Sequence, residues 1–194
     1  AVARAQLDMR PFLRTGEIVE HVPGMIVTQH SGSGKANQYF LRGFNLDHGT
    51  DFAVDLEGMP MNMRSHAHGQ GYLDLNPIMP EMVRRLEYSK GVHDVIGGDF
   101  SAAGRASVRL FDELPSGFLS VGIGKDDYLR IAAGESFRTA QGLVLTAAVE
   151  AQRYDGPWVQ PEDLRKLNGI FRLVKTGAGG RFSLLGTAYD ASWD

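Results

Sequence analysis

The chain has 194 residues, a formal net charge of −3, 24 glycines and no cysteine. That length allows one or two domains with a real core, and the near-neutral charge with scattered Lys and Arg excludes a basic nucleic-acid stripe. Without cysteine there is no disulfide and no thiolate metal site, and no run of about 18 apolar residues offers a transmembrane helix. Alternating strands of about 10 residues would cross a membrane as a barrel, so a membrane stays open. No charged-then-apolar leader follows Ala1, so a signal peptide is expected to have been removed or never included.

In chain order, Thr15 is expected to cap a short helix from Gly16 to His21, stopping before Pro23-Gly24. Met25 to Thr28 reads as a short strand. Residues 30–37, HSGSGKAN, form a polar loop. Its Gly-Ser-Gly-Lys lacks the first glycine of a P-loop, since Gln29 holds that place, and a strand follows it; nucleotide binding is not assigned. Residues 39–58, YFLRGFNLDHGTDFAVDLEG, hold two strand-like runs, 39–44 and 52–58, around a polar turn from Asn45 to Asp51. They read as a hairpin or loop pair in which Gly43 and Gly58 permit backbone angles denied to larger residues. Arg42, beside Gly43, must find acceptors or stay solvated.

The next stretch, MPMNMRSHAHGQG from Met59 to Gly71, concentrates metal-ligating residue types. Thioethers at Met59, Met61 and Met63 suit Cu(I), and imidazoles at His66 and His68 suit copper or zinc. Methionine alternation also follows from one face of an extended segment packing on a core, and His-Ala-His reads equally as solvated loop. No geometry is implied, and no metal is assigned. Residues 72–77 lead into a helical turn near Pro77–Met82. Residues 83–89 then alternate as a strand with Val83, Arg85, Glu87 and Ser89 on one side. A turn-rich connection over 92–106 ends in a strand from Ala106 to Phe111.

The organisation shifts at residues 112–117. Beyond it come about five strands of roughly 9–13 residues, joined by turns such as 124–127 and 177–180, a periodicity that membrane barrels share. Leu143, Leu145, Ala147, Val149 and Ala151 make the cleanest apolar face, opposite Thr146, Ala148, Glu150 and Gln152. A soluble antiparallel sheet with one buried face has the same pattern.

Five segments in order carry a resemblance: Val19-Glu20-His21-Val22-Pro23-Gly24-Met25-Ile26-Val27, Leu41-Arg42-Gly43, Val54-Asp55-Leu56-Glu57-Gly58, residues 80–91 (PEMVRRLEYSKG) and the Gly/Ala-rich turn at 97–106. Together, over roughly residues 10–112, this order resembles the plug domain of TonB-dependent outer-membrane receptors. Leu56-Glu57 separates Asp55 from Gly58 where that family has Asp-Gly adjacent. The implied fold is an α+β plug, a small mixed sheet with short helices, over residues 1–112. Residues 113–194 would then be antiparallel strands of a truncated transmembrane β-barrel. Because a plugged lumen takes about 22 strands, the chain is expected to be the N-terminal part of a longer receptor.

The resemblance implies energy-coupled uptake of a scarce solute at the bacterial outer membrane, with the plug inside the barrel lumen. The implied partners are the TonB complex, outer-membrane lipid and an extracellular ligand: a siderophore, cobalamin, haem, sugar or metal complex. No TonB box is found in residues 1–9. No enzyme is expected, since no nucleophile elbow and no HExxH frame is present, and neither a cofactor nor a nucleic-acid partner is called for. The alternatives are a non-transporting surface or signalling receptor on the same fold, or a soluble β-rich enzyme. By resemblance, two apical loops face the ligand, His30 to Gln38 and Met61 to Tyr72. The second presents Arg64, His66, His68, Gln70 and Tyr72: a cation, two imidazoles, an amide and an amphipathic ring. Arg42, Glu87 and Arg109 are the implied plug–barrel contacts.

Overall fold

A computed structural model describes residues 1–29, 31–93 and 95–194, which divide into residues 1–31 with 35–110 and residues 32–34 with 111–194. His30, expected in the first apical loop, lies outside the described residues. The first unit opens with β1 (Val2–Ala3), α1 (Arg4–Leu7) and a 3-10 helix, Thr15–His21. Next come β2 (Met25–Thr28), β3 (Gln38–Leu41), β4 (Phe44–Asn45), β5 (Phe52–Leu56), β6 (Met59–Pro60), β7 (Asn62–Met63) and β8 (Tyr72–Leu73). A 3-10 turn at Pro80–Met82 leads to β9 (Val83–Lys90), and another at Val95–Gly97 precedes β10 (Gly104–Leu110). The strands make a five-stranded sheet ordered β1-β9-β10-β5-β6, a three-stranded sheet β2-β3-β4 and a pair β7-β8. In the largest sheet β10 runs parallel to β5, Gly104 opposite Phe52, and the other pairings are antiparallel. This is the mixed sheet with short helices that the resemblance implies. Its core includes Tyr39, Phe52, Leu56, Leu73, Ile78 and Leu86, all fully buried.

Three local readings change. The runs at 39–44 and 52–58 are not strands of one hairpin, because β3 and β5 lie in different sheets. Each instead closes its own two-residue hairpin. Arg42-Gly43 joins β3 to β4 with φ of 55° and 80°, and Glu57-Gly58 joins β5 to β6 with φ of 53° and 90°. Two consecutive left-handed residues are what a type I′ turn requires, and glycine at the second position removes half of the steric cost. Second, Val83 does not share a face with Arg85. A bulge leaves Arg84 without a counterpart on β10, so that Leu110 pairs with Val83, and Val83 joins Leu86 in the core. Third, Thr15 caps nothing. It begins the 3-10 helix as a buried residue, and the Glu17 carboxylate accepts from the Leu13 and Arg14 amides at 2.9 and 3.4 Å.

The N-terminal segment is tied to the largest sheet. Val2 pairs with Leu86, and the Arg4 guanidinium donates to the carbonyls of Pro80 and Val83 at 2.7 and 2.8 Å. Arg4 also bonds Asp8 at 2.8 Å, which holds that carboxyl below its ordinary range.

The second unit is an antiparallel meander of β11 (Phe118–Ile123), β12 (Leu129–Arg138), β13 (Leu143–Tyr154), β14 (Leu164–Gly177) and β15 (Gly180–Ser192). Its alternation decides between the two readings of the strand pattern. A soluble sheet hides its large apolar side chains and shows polar ones. Here Leu119, Val121, Ile123, Phe137, Val149, Leu167, Phe171 and Phe182 are exposed. The buried positions include Thr146, Glu150, Lys166, Asn168 and Arg172. Glu150, 3% exposed, meets Arg130 at 2.6 Å, Lys166 at 3.1 Å and Asn168 at 3.4 Å. Asp112 holds Arg172 at 2.9 Å and Arg181 at 2.6 Å. Apolar outside and polar inside is the alternation of a membrane barrel. Ser33, in the Gly-Ser-Gly-Lys stretch, donates its amide to the Glu162 carboxylate at 2.9 Å. A backbone amide already serving an anionic side chain is no phosphate cradle.

Candidate functional site

The loop between β7 and β8 is held at its base by one buried side chain. The Asn62 Oδ1 accepts from the Val54 amide at 2.7 Å, while its Nδ2 donates to the carbonyls of Gly49, Phe52 and Gly71 at 3.0–3.1 Å. That amide joins β5, the 45–51 turn and the end of the loop. Leu73 adds a backbone bond to the His48 carbonyl at 2.7 Å, and Gly71 one to Met63 at 2.7 Å. Gly71, at φ 82°, lies where a Cβ would strike the Phe100 ring, so the loop closes tightly.

Above this base the ring groups assemble. His66 stacks on Tyr72 with centroids 4.0 Å apart and planes 12° from parallel. His68 meets His48 edge to face at 4.5 Å, and both lie against Tyr72, at 5.7 and 5.2 Å. The Tyr72 hydroxyl accepts the Ala36 amide at 2.9 Å, so the loop following Lys35 abuts the loop ending at Tyr72. Arg64 and Gln70 do not join the ring cluster by any bond to it. Arg64 is exposed and pairs with Asp99 at 3.1 Å, and Gln70 is exposed on the same loop. Met59 and Met63 are exposed too, which removes the core-packing explanation for them.

Sequence reasoning missed Asn62, Asp47 and His48. His48 is 3% exposed, its Nδ1 3.0 Å from the Asn37 carbonyl and its Nε2 3.9 Å from the Asp47 carboxylate. The only signal was the composition of Asn45–Asp51, which reads as an ordinary polar turn.

Burial pushes the Tyr39 phenol well above its usual value and raises Tyr72, the latter against an opposing pull from the Ala36 amide. A phenol whose folded pKa exceeds its unfolded value contributes stability that is complete below about pH 10 and lost as pH rises through the folded pKa. Heat denaturation of the receptor between pH 8 and 11.5 is therefore expected to show a falling melting temperature above about pH 10, with a shallower fall in Tyr39→Phe. A flat profile would contradict the burial of these phenols.

Glu87 and Arg109 meet across β9 and β10 at 3.3 Å, and Arg109 reaches Asp55 on β5 at 3.6 Å. Arg85 completes the row, 2.6 Å from Glu87, and Ser107 bonds Asp55. Three adjacent strands thus carry one charged face, opposite the core face of Val54, Leu86 and Val108. Arg42 is not part of it. It sits exposed in the Arg42-Gly43 turn, its amide donating to the Gly24 carbonyl at 2.8 Å.

Residues 1–105 match the family model of the TonB-dependent receptor plug domain. Solved structures match over both units. The FrpB iron transporter from Neisseria meningitidis is 14% identical, with a TM-score of 0.74 over 98% of this chain and 31% of that one. The ferripyoverdine receptor of the Pseudomonas aeruginosa outer membrane, bound to ferripyoverdine, is 18% identical, with a TM-score of 0.71 over 97% and 24%. The siderophore receptor PiuA from Acinetobacter baumannii is 15% identical, with a TM-score of 0.67 over 98% and 26%. At these identities the likeness is one of fold, and the chain spans less than a third of the length of each of these three receptors. The chain belongs to the TonB-dependent receptors of the outer membrane, carrying their plug domain followed by antiparallel strands of the barrel type.

Proposed function

We propose that the receptor containing this chain takes up a scarce metal-bearing solute, of the ferric-siderophore type or a related complex, driven by the TonB complex and without covalent chemistry. The match of residues 1–105 to the plug domain carries this reading, and the solved receptors of like fold that transport iron or bind siderophores support the cargo class. In this reading residues 1–112 are the plug and residues 113–194 are strands of the barrel, with lipid against their exposed face. The loop from Met61 to Tyr72 faces the cargo, offering Arg64, His66, His68, Gln70 and Tyr72. A guanidinium suits an anionic chelate, and the stacked His66–Tyr72 pair offers an aromatic surface to it.

Glu87 and Arg109 hold the plug while leaving it movable. Their mutual pairing keeps each charge compensated whichever surface the face meets. Arg42 is the third proposed contact, presented on its turn.

The test is growth on ferric siderophores as sole iron source. A receptor-deleted strain should recover growth with the whole receptor and fail again without TonB. Recovery that persists without TonB, or no recovery on any iron complex, would overturn the transport reading. The second of these results would favour a non-transporting surface or signalling receptor.

A further inference from the structure

Among the described residues, Asp47, His48 and His68 bring three metal-ligating side chains together. Each offers one ligand atom, and the three atoms lie within 4.8 Å of one another. From this geometry we propose that they bind a divalent transition-metal ion directly. The proposal rests on the cargo-facing reading only for where that ion comes from; binding itself does not depend on it.

His48 is the fixed member. It is buried beneath Tyr72 and His68, and the hydrogen bond from its Nδ1 to the Asn37 carbonyl places the ring proton on Nδ1. In the neutral ring this makes Nε2 the lone-pair nitrogen, and it is Nε2 that points towards Asp47. A carbonyl behind the distal nitrogen is the usual way in which a protein fixes the tautomer and orientation of a metal-binding histidine. Asp47 is held by its backbone. Its amide donates to the Asn45 side chain at 2.8 Å, its carbonyl accepts the Tyr39 amide at 2.8 Å, and its φ is 49°. The left-handed backbone, which aspartate tolerates as a single residue, leaves the carboxylate 3.9 Å from the His48 ring. His68 arrives from the other loop, its amide donating to the His66 Nδ1 at 3.2 Å while His66 is stacked on Tyr72.

Metal bonds of about 2.0–2.2 Å would place tetrahedral ligands roughly 3.3–3.6 Å apart. The Asp47–His48 separation of 3.9 Å is close to that. The exposed side chains of Asp47 and His68 supply the remaining closure, while buried His48 stays where it is. Two imidazoles and a carboxylate suit Zn²⁺, Cu²⁺, Ni²⁺ or Co²⁺, not the all-oxygen preferences of Ca²⁺ and Mg²⁺. Three protein ligands leave a fourth position open. A ferric siderophore with saturated coordination has no use for such a site. The ion such a site takes is therefore a free divalent ion, or the metal of a complex that keeps exchangeable positions, whether or not the receptor also carries a saturated chelate.

The experiment uses the whole receptor in detergent, stripped with chelator and titrated with Zn²⁺ against a chromophoric competitor and with Co²⁺ by visible absorption. One equivalent of Co²⁺ should give intense ligand-field bands of low coordination number. Both His68→Gln and Asp47→Asn, which change exposed side chains, should weaken Zn²⁺ at least tenfold, whereas His93→Gln should bind as wild type. Melting temperatures measured without metal separate lost ligation from misfolding. Wild-type affinity in His68→Gln and Asp47→Asn, or no stoichiometric binding at all, would overturn the site. Failure of iron-dependent growth alone leaves this binding result standing, so the two readings fail separately.

Discussion

Replacing Asn62 with leucine is expected to destabilise the first unit by about 3 kcal/mol or more. The substitution keeps the branched skeleton, adds methyl bulk and removes every polar contact of a side chain that is 7% exposed. The Val54 amide and the carbonyls of Phe52 and Gly71 would lose this partner, while the Gly49 carbonyl would keep only the Phe52 amide at 3.0 Å. Each such group costs about 1–3 kcal/mol when buried, and partial rehydration relieves only some of it. Hydrogen exchange should locate the damage, with protection lost first at Val54 and across the β5–β10 pairing and the 63–71 loop made mobile. Because Leu73 also ties this loop to His48, Zn²⁺ binding should weaken in the same variant. A loss of stability below about 1 kcal/mol would mean that this amide is not the hub its bonds describe.

The second large effect concerns the exposed face of the meander. Val149 lies near the middle of β13, 64% exposed, opposite Ala133 on β12 and Gly169 on β14. Arginine there should cost about 2–4 kcal/mol in barrel stability if the face meets the bilayer midplane. On a water-facing sheet the same change would be neutral or would improve solubility. Val149→Arg should therefore lower the yield of heat-modifiable, folded receptor in the outer membrane, whereas arginine at exposed Lys175 near the end of β14 should not. Equal yields for both would contradict lipid contact at Val149.

What could be read from the residues alone was what depends on neighbours in sequence. Strand alternation in β13 and β14 is a local property, and so is the backbone freedom of Gly43 and Gly58, though the two-residue turns they close lay inside runs that read as strand. Which face of an alternating strand meets lipid is not local, because Leu145-Thr146-Ala147 reads the same in a soluble sheet. Burial of Glu150 and Lys166 beside exposed Val149 and Leu167 shows which face is the apolar, open one. Non-local pairing likewise hid the separation of β3 from β5, since β5 takes a parallel partner about fifty residues on, in β10. The bulge at Arg84 hid the inward turn of Val83, because one extra residue reverses a two-residue period.

The functional loop shows the same division. His66, His68 and Tyr72 stand out by type within one segment, and the structure stacks or abuts all three. Asp47 and His48 come from a turn about twenty residues earlier, and nothing in that turn marks them before it folds against His68. Asn62 was invisible for a different reason. An asparagine in a loop is commonplace, and its worth here lies in four backbone groups drawn from three segments.

These 194 residues hold no cysteine, so the direct measurement uses single cysteines along β13, spin-labelled in the whole receptor in lipid bilayers after any cysteine elsewhere in it is replaced by serine, with collision rates for oxygen and for a water-soluble nickel chelate. Alternation with apolar residues exposed predicts high oxygen and low nickel accessibility at Leu145→Cys, Ala147→Cys and Val149→Cys. Val144→Cys, Thr146→Cys and Ala148→Cys, on the buried face, should lose the oxygen signal, giving a period of two residues. Nickel accessibility at 145, 147 and 149 equal to that of an exposed loop residue such as Gln141 would place water on that face, and the strands would not cross a membrane.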